Sequence, residues 1–397
     1  MPGYEVFGDE ERKEVQDVLD SGVLFRYSFE KERMGRWKAY EFEKELCKKL
    51  NVGYTHLCSS GTTALDIALA SLDIGIGDEV IVPPFTFIAT IESVFNIGAT
   101  PVFAEIDETM SLDPESVKSC ITGKTKAILL VHMCGSMAKI DEIKKICDQK
   151  EIILIEDACQ SIGATFKGKS VGTFGKIGCF SFDPLKTITC GEGGAIVTND
   201  KKLYEIASAY SDHGHDHLGT IRSDDDHHIL GTNYRICELN AAVGLAQLKK
   251  LYIMLEKNRM YKKMMEEILS ECTGISFAEI PDKEGDSATF LTMLMESSEK
   301  ARNVAKKMVE EKIDSFFYWY DAKWHYIRKW NHVKNLKSIR KLPLELIDKI
   351  EDFRNILLPK SDHIIGRTIS IQIKLNWNSS EVIERSKKIR KIIDGNI

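Results

Sequence analysis

The feature that most restricts the fold of this chain is an alternation of short apolar runs with helical patterns between residues 79 and 155. Strands that alternate with helices favour right-handed β-α-β units built around a mostly parallel sheet. We therefore expect an α/β fold. The predicted strands are residues 79–82, 101–106, 127–132 and 152–155, and the predicted helices are residues 88–95 and 139–149.

Ionisable side chains follow two of the predicted strands. Asp157 comes directly after the run at 152–155, and a further strand at 177–182 is followed by Asp183 and Lys186. Open α/β sheets bind their ligands at the carboxyl ends of such strands. From the residues alone, Asp157 and Lys186 could form an ordinary ion pair or belong to a functional site.

A second candidate site is the sequence SSGTT at residues 59–63, which joins a predicted strand to a predicted helix. The first amides of a helix have no partner within the helix, and the helix dipole favours an anion there. Thr62 and Thr63 occupy that first turn. Serine and threonine are also common N-cap residues, so an ordinary capped helix is the alternative.

Three segments carry a resemblance to a known family: EDACQSIGA from residue 156, FSFDPLKTITCGEGGAIVT from residue 180 and SSGTTAL from residue 59. They resemble the DegT/DnrJ/EryC1/StrS family of sugar aminotransferases, and the similarity extends from about residue 41 to residue 247. The resemblance implies pyridoxal 5'-phosphate (PLP) as the cofactor. It also implies the three-layer fold of PLP transferases of the aspartate-aminotransferase type, with a mostly parallel central sheet and a smaller α+β C-terminal domain.

The resemblance assigns roles to individual residues. It implies that Lys186 forms a Schiff base with PLP and then moves a proton, and that Asp157 lies against the pyridine nitrogen. The other implied cofactor contacts are Phe87 stacked on the ring, Gln160 at the ring hydroxyl, and Thr62, Thr63 and Ser181 at the phosphate. Asn233, within TNYR, is implied to reach the phosphate bound by a second subunit, so we expect a homodimer with shared sites. Asp183 receives no role, because many relatives have His or Asn there.

The implied reaction is amino transfer from an amino acid, usually L-glutamate, to a keto or aldehyde sugar. FSFDPLKTITCGEGG and DHGHDH are similar to the subgroup that makes 8-amino-3,8-dideoxyoctulosonate, so 3,8-dideoxy-8-oxo-octulosonate is an expected acceptor, in surface polysaccharide (lipopolysaccharide) biosynthesis. The alternatives are an aminotransferase for a nucleotide-linked 3- or 4-keto sugar, a PLP-dependent sugar dehydratase and a non-catalytic regulator of the same fold. Lys186 argues against the dehydratase, and the filled cofactor positions argue against the regulator.

Two segments predict a rim that binds an acidic substrate. Aromatic and basic residues interleave between residues 25 and 38, where Arg26 and Arg36 could form bidentate hydrogen bonds with a carboxylate or phosphate. A surface segment with solvated charges is the alternative. His213 and His215 belong to a His/Asp loop that in the family lies over the active site. We predict no metal there, because the loop lacks the helical spacing of zinc-binding histidines.

One motif points to a different function. Residues 163–170 match the P-loop pattern G-x-x-x-x-G-K-S. A P-loop continues directly into a helix, whereas glycines at 172, 175 and 178 follow here and oppose a helix. We therefore predict a hairpin that leads to the strand before Lys186.

The composition restricts which partners and which cellular location we expect. The formal net charge of −6 disfavours a protein whose main ligand is nucleic acid. The 10 cysteines include no C-x-x-C pair, which is typical of reduced thiols in a cytosolic protein. No apolar run reaches the roughly 20 residues of a membrane span, and the first residues do not resemble a signal peptide. We expect a cytoplasmic location and no membrane partner.

The composition changes near residue 251, where helices rich in Lys, Glu and Met begin. We therefore predict a large PLP-binding domain over residues 1–250 and a small C-terminal domain over residues 251–397. Residues 316–330 are dense in aromatic side chains, which favours a pocket wall or an interface because the chain has no RNA-binding signature.

Overall fold

The computed structural model describes residues 3–219 and 222–395, and its centre is a seven-stranded sheet. The strands are β1 (Tyr54–Cys58), β2 (Glu79–Val82), β3 (Thr100–Phe103), β4 (Thr125–Val131), β5 (Ile153–Asp157), β6 (Thr165–Phe166), β7 (Lys169–Ser170), β8 (Ile177–Ser181), β9 (Gly194–Thr198), β10 (Ile275–Phe277), β11 (Phe290–Met295), β12 (Phe316–Tyr318) and β13 (Thr368–Gln372).

The central sheet has the strand order β1-β9-β8-β5-β4-β2-β3. Strands β3, β2, β4, β5 and β8 run parallel to one another. Strand β9 is antiparallel to both of its neighbours, β1 and β8. The expected α/β fold with a mostly parallel sheet is confirmed. Within this seven-stranded sheet, the carboxyl ends of all strands except β9 lie at the same edge.

Helices cover both faces of this sheet. The helices of the described residues are α1 (Asp9–Ser21), α2 (Glu30–Arg33), α3 (Lys38–Leu50), α4 (Gly61–Ser71), α5 (Ala89–Asn96), α6 (Pro114–Cys120), α7 (Ile140–Lys150), α8 (Lys201–Tyr210), α9 (Glu238–Leu269), α10 (Ser298–Glu310), α11 (Asn331–Lys334), α12 (Leu344–Ile347), α13 (Ile350–Arg354), α14 (Pro359–Gly366) and α15 (Ser379–Asp394). In this part of the chain, no helix has the length and apolar character that crossing a bilayer requires.

The central strands read as continuous apolar runs because both of their faces are buried. In β5, Ile155 packs into the core on one face, and Leu154 packs into the core on the other. Leu129 and Leu130 of β4 divide between the same two cores. This burial holds the strand ends rigidly, so the residues that follow each strand have fixed positions.

A second, antiparallel sheet has the strand order β10-β11-β13-β12. Helix α10 packs on it, and α15 shares the separate core, which includes Met293, Val304, Ile371 and Ile389. This small α+β unit is the C-terminal part that the resemblance implied.

Helix α9 spans 32 residues and passes through residue 250, the predicted domain boundary. The helix contacts α1 and α3, and it also contacts α15, which contributes to the core of the small unit. The division at residue 250 therefore stays a prediction, and it would cut through one continuous helix.

The P-loop match lies in a hairpin, as expected. Lys169 and Ser170 form β7, which pairs with β6 in an antiparallel two-stranded sheet. No helix follows Ser170 within the described residues before β8 begins at Ile177.

Candidate active site

A cavity of about 300 Å³ opens at the edge where the parallel strands end. Its lining includes Val131, Asp157 and Ser181, which are the last residues of β4, β5 and β8. The predicted site residues that line this cavity are Thr62, Phe87, Asp157, Gln160, Ser181 and Lys186.

Asp157 is a buried carboxylate that two donors hold in place. Its Oδ1 accepts a hydrogen bond from the Cys159 amide at 3.1 Å, and its Oδ2 accepts one from the Thr90 hydroxyl at 2.8 Å. Each carboxylate oxygen can accept a further hydrogen bond. The carboxylate therefore has a fixed orientation and can still receive a protonated ring nitrogen from the cavity.

Gln160 is oriented by the neighbouring loop. Its Oε1 accepts a hydrogen bond from the Cys134 amide at 3.1 Å. The side-chain oxygen is thereby engaged with the protein, which leaves the Nε2 group as the donor on the side of a ligand. This geometry suits the predicted contact with the ring hydroxyl of PLP.

Lys186 stands on a tight turn after β8. The Lys186 amide donates to the Asp183 carbonyl at 3.0 Å, and the Asp183 carboxylate accepts a hydrogen bond from the Leu185 amide at 2.8 Å. Asp183, to which the sequence assigned no role, therefore shapes the turn that presents Lys186. From outside the turn, the Gly3 amide donates to the Lys186 carbonyl at 2.9 Å.

The first turn of α4 separates the roles of its two threonines. The Ser60 hydroxyl accepts a hydrogen bond from the Thr63 amide at 3.1 Å, and the Thr63 hydroxyl bonds back to the Ser60 amide and carbonyl at 2.9 Å each. Thr63 is also absent from the described cavity lining, whereas Thr62 lines it. The phosphate contact of Thr63 stays a prediction, and the helix cap already uses both polar groups of that residue.

Gly61 lets α4 approach β8 closely enough to form an anion site. A Cβ at residue 61 would lie 2.7 Å from Cβ and 3.0 Å from Oγ of Ser181. Without that Cβ, the N-terminal end of α4 and the Ser181 hydroxyl converge on the same cavity. Helix amides together with a hydroxyl form a site that favours a phosphate group.

Phe87 lies on a wall that joins the two sheets. Residues 84–88 pair with residues 324–327 through backbone hydrogen bonds of 3.0 Å. The Phe87 side chain is 40 % exposed, so one face of the ring is available to a ligand. The aromatic run at 316–330 is a pocket wall, since Phe317, Trp319, Trp324 and His325 line the cavity.

Glu156 stabilises the loop beneath the cavity, a role that was not assigned to it from the sequence. Its carboxylate is fully buried and accepts hydrogen bonds from the amides of Gly172, Phe174 and Gly175 at 2.6–2.8 Å. His132 Nε2 lies 3.1 Å from the same carboxylate. Glu156 therefore anchors the glycine-rich loop between β7 and β8.

These residues fit PLP. The cavity combines a fixed carboxylate at Asp157, a helix N-terminus beside Ser181, a lysine at residue 186 and an exposed aromatic face at Phe87. They correspond to the four chemical features of the cofactor: a basic ring nitrogen, a phosphate, an aldehyde and an aromatic ring.

The two arginines expected to bind substrate lie outside the cavity. Arg26 is buried, and its guanidinium donates to the Leu57 carbonyl and to Glu43, each at 2.7 Å. Arg36 lies on the surface, 3.5 Å from Asp17. The rim prediction is therefore wrong for Arg26, because its donors serve the fold, and Arg36 likewise has a partner remote from the site.

Asn233, His213 and His215 belong to one loop, and none of them is among the described residues that line this chain's cavity. The backbone of Asp212 forms a bridge with Asn233, and the Asn233 side chain is exposed. His215 is 3.1 Å from Asp225. An exposed Asn233 is compatible with a contact made to another subunit.

Asp212 is the anchor of this loop. Its buried carboxylate accepts hydrogen bonds from Arg222 and Arg235 at 2.5–2.6 Å. Burial alone would raise the pKa of Asp212, but the two guanidinium groups outweigh it and lower the pKa to about 2. The loop is thus fixed to the body of the chain at physiological pH.

The same loop brings Asp216, Asp226 and His228 together, with ligand atoms within 4.8 Å of one another. Asp226 and His228 are exposed, and such groups are common without an ion. The expectation that the loop binds no metal stays a prediction.

Comparisons with known proteins agree with this geometry. The sequence model of the DegT/DnrJ/EryC1/StrS aminotransferase family matches residues 6–341 of this chain. A GDP-perosamine synthase of Escherichia coli O157:H7 is 36 % identical over 282 residues, which cover 68 % of this chain and 74 % of that protein.

A UDP-2-acetamido-2-deoxy-3-oxo-D-glucuronate aminotransferase of Pseudomonas aeruginosa is 38 % identical over 238 residues, or 59 % of this chain and 64 % of that protein. Among solved structures, an aminotransferase from Psychrobacter cryohalolentis superposes with a TM-score of 0.82 at 29 % identity. The superposition covers 98 % of both chains.

Proposed function

The chain belongs to the DegT/DnrJ/EryC1/StrS family of PLP-dependent sugar aminotransferases, and from that premise we propose that Lys186 and Asp157 perform amino transfer from L-glutamate to a keto or aldehyde sugar. The observation that carries the proposal is that one cavity contains Lys186, Asp157 and Gln160 together with the N-terminus of α4. Hydrogen bonds within the chain already orient Asp157 and Gln160, and the backbone turn shaped by Asp183 places Lys186.

Bound PLP supplies an electron sink for the substrate's α-carbon. Asp157 would hold the ring nitrogen in its protonated form, and Gln160 would donate to the ring oxygen. With PLP bound, the Lys186 amine would take the proton from the substrate's α-carbon and deliver it to the cofactor carbon that carried the aldehyde. Phe87 would cover one face of the ring and exclude water from it.

The phosphate group is held by Thr62, Ser181 and the first amides of α4. We propose that the partner subunit's Asn233 completes this site in a homodimer. The exposed position of Asn233 supports the proposal, because its side chain has no role in its own chain's cavity. A cytoplasmic location and a role in making surface polysaccharide belong to the same proposal.

The acceptor we propose is a nucleotide-linked 3- or 4-keto sugar. The names of the two relatives support this choice, since one is a GDP-sugar enzyme and the other acts on a UDP-linked 3-oxo sugar. The octulosonate acceptor loses its structural argument, because buried Arg26 cannot bind the substrate's carboxylate. The remaining argument for the octulosonate as acceptor is the sequence similarity around Lys186.

Two half-reactions test the proposal. L-Glutamate added to the PLP-loaded protein should convert the cofactor to its amino form, with loss of the visible absorption band. A keto sugar should then restore the band. The acceptors to compare are GDP-4-keto-6-deoxymannose, UDP-2-acetamido-2-deoxy-3-oxo-D-glucuronate and 3,8-dideoxy-8-oxo-octulosonate.

Recovery with a nucleotide-linked sugar supports the acceptor proposed. Recovery with the octulosonate alone would reverse that choice and leave the aminotransferase activity standing. Failure of glutamate and of every other amino acid to bleach the band would contradict amino transfer itself.

A further inference from the structure

His325 is a histidine of the cavity wall that the cofactor contacts do not use. It lines the cavity together with Lys186 and Phe87. The centroid of its ring is 5.6 Å from that of Phe87 and 5.0 Å from that of Trp319. Packing between two aromatic rings leaves the imidazole few alternative orientations, so its nitrogens have defined positions.

The backbone around His325 is fixed as well. Its carbonyl accepts a hydrogen bond from the Thr86 amide at 3.0 Å, and the next residue, Tyr326, forms a bridge with Phe85. The hydroxyl of Tyr326 donates to Asp362 at 2.7 Å. The backbone of His325 is therefore paired as in a β-bridge. This pairing places a residue of the C-terminal part of the chain in the wall of the cavity.

Neither ring nitrogen of His325 forms a hydrogen bond with any residue that the structure describes. Burial, followed by the charge of nearby Lys186, lowers the pKa of His325 to about 4. The imidazole is therefore neutral near pH 7, with one nitrogen that donates and one that accepts. His325 is half-buried in this wall, so its ring nitrogens remain available to a ligand in the cavity.

The cofactor does not need this group. Asp157, Gln160, Ser181 and Thr62 follow strands of the central sheet and match the polar features of PLP. His325 enters the cavity from a separate wall that it shares with Phe317 and Trp319. A sugar substrate would reach this wall with hydroxyl groups that both donate and accept hydrogen bonds.

We propose that His325 is a specificity-determining residue, which binds a hydroxyl group of the acceptor sugar next to the carbon that receives the amino group. The inference rests on the proposed function and deepens it, because it explains how one cavity accepts both a small amino acid and a sugar. The amino acid donor does not contact His325, whereas the sugar does. A site built to hydrogen-bond a hydroxyl also discriminates against analogues that lack it.

Three variants separate hydrogen bonding from packing. His325→Phe keeps the ring contacts with Phe87 and Trp319 but has no ring nitrogen. His325→Gln loses the ring and retains a donor and an acceptor, and His325→Ala loses both properties. His363→Ala, at an exposed histidine of α14, is the matched control.

The measurements are kcat/KM for the glutamate half-reaction and for the return half-reaction with GDP-4-keto-6-deoxymannose. We expect His325→Phe and His325→Ala to lose about tenfold or more in the sugar half-reaction alone, as for one lost hydrogen bond. His325→Gln should recover part of that loss. In the wild-type holoenzyme, sugar binding should shift the imidazole nitrogen NMR signals of His325, and glutamate should not.

The inference is overturned if His325→Phe matches the wild type with the sugar, or if all three variants lose both half-reactions equally. The first outcome would assign His325 to packing, and the second would assign it to cofactor binding. A failure of the proposed function is recognised separately, because the wild-type protein would then be inactive with every acceptor.

Discussion

Thr90 donates a hydrogen bond from its hydroxyl to Oδ2 of Asp157 over 2.8 Å. The hydroxyl of Thr86 lies 2.7 Å from that of Thr90. Because Thr90 has one hydroxyl hydrogen and gives it to Asp157, Thr86 must be the donor to Thr90. A directional chain of two buried hydroxyls thus orients the carboxylate that faces the ring nitrogen of PLP.

We expect Thr90→Val to weaken PLP binding about tenfold or more, since a hydrogen bond to a charged group contributes roughly 1.5–3 kcal/mol. Valine has nearly the shape of threonine, so the change removes the hydroxyl without opening a cavity. Titrating the apo protein with PLP by absorption measures the affinity. Thr90→Ser should restore it, and equal affinities for all three proteins would show that Cys159 alone orients Asp157.

Lys186 is expected to be the residue that links covalently to PLP. Borohydride reduction of the yellow holoenzyme, followed by peptide mass mapping, should place the cofactor on the peptide containing Lys186. Lys186→Ala should abolish amino transfer while PLP still binds through its phosphate. The neighbouring Lys176, which pairs with Asp200 at 2.7 Å, is the control lysine. A reduced adduct on any lysine other than Lys186 contradicts the assignment.

If the two subunits of a homodimer share their active sites, two different inactive variants should recover activity when they are mixed. Lys186→Ala and Asn233→Ala proteins, mixed and allowed to exchange subunits, should recover about a quarter of the wild-type activity by random pairing, because one of the two sites in each mixed dimer is intact. Differently tagged chains establish that mixed dimers form. Mixed dimers without any activity would mean that each chain holds its own phosphate.

We predict that Asp66 makes the free energy of unfolding depend on pH. It is a buried residue of α4, and burial raises its pKa to about 6 despite hydrogen bonds from Asn96 and Tyr234. The folded state therefore binds a proton more tightly than the unfolded state, whose carboxyl titrates near pH 3.9. The free energy of unfolding therefore falls as the pH rises from about 4 to about 6, and the total loss above pH 7 is about 3 kcal/mol.

Asp66→Asn should remove this penalty. The free energy of unfolding of the variant, minus that of the wild type, should be near zero at pH 4 and increase up to pH 7. Urea unfolding at several pH values measures it. Asp348→Asn, at an exposed carboxyl, provides the control. A difference that does not change with pH would show that Asp66 is not the titrating group.

The two arginines once expected at a substrate rim should differ in their effect on stability. Arg26→Ala leaves Glu43 buried without its partner, which costs about 3–5 kcal/mol. Arg36→Ala removes a surface ion pair with Asp17, which contributes about 0–1 kcal/mol. Chemical denaturation compares the two variants. An Arg26→Ala protein as stable as Arg36→Ala would contradict the structural assignment of Arg26.

The strands and helices around the site could be predicted from the sequence because their patterns are local. The strand at 79–82 has the bounds that its apolar pattern indicates, and the helices predicted at 88–95 and 139–149 differ from the observed bounds by one residue at each end. Helix α9 could not be delimited, because the Lys/Glu-rich composition after residue 250 indicated a new domain. The helix continues there since Leu251, Met254 and Leu255 keep one face buried.

Site residues were predictable where a motif and a strand end coincide, as at Asp157 and Lys186. The sequence could not separate two roles for Thr63, because a side chain that caps its own helix and one that faces a ligand have the same sequence signature. Arg26 failed because its partner Glu43 is brought to it by tertiary packing. His325 was flagged only as part of an aromatic run, since its partners at residues 84–88 lie more than 200 positions earlier.

The continuity of α9 determines where related enzymes can be recombined. A 32-residue helix is a rod of about 48 Å, so a junction at residue 250 would join two half-helices whose buried faces evolved against different neighbours. Chimeras that exchange the C-terminal wall should instead be joined in the turn at residues 270–274, after the helix has ended. Such a junction would transfer β11, His325 and β13 as one block and leave Lys186 and its turn in their original surroundings.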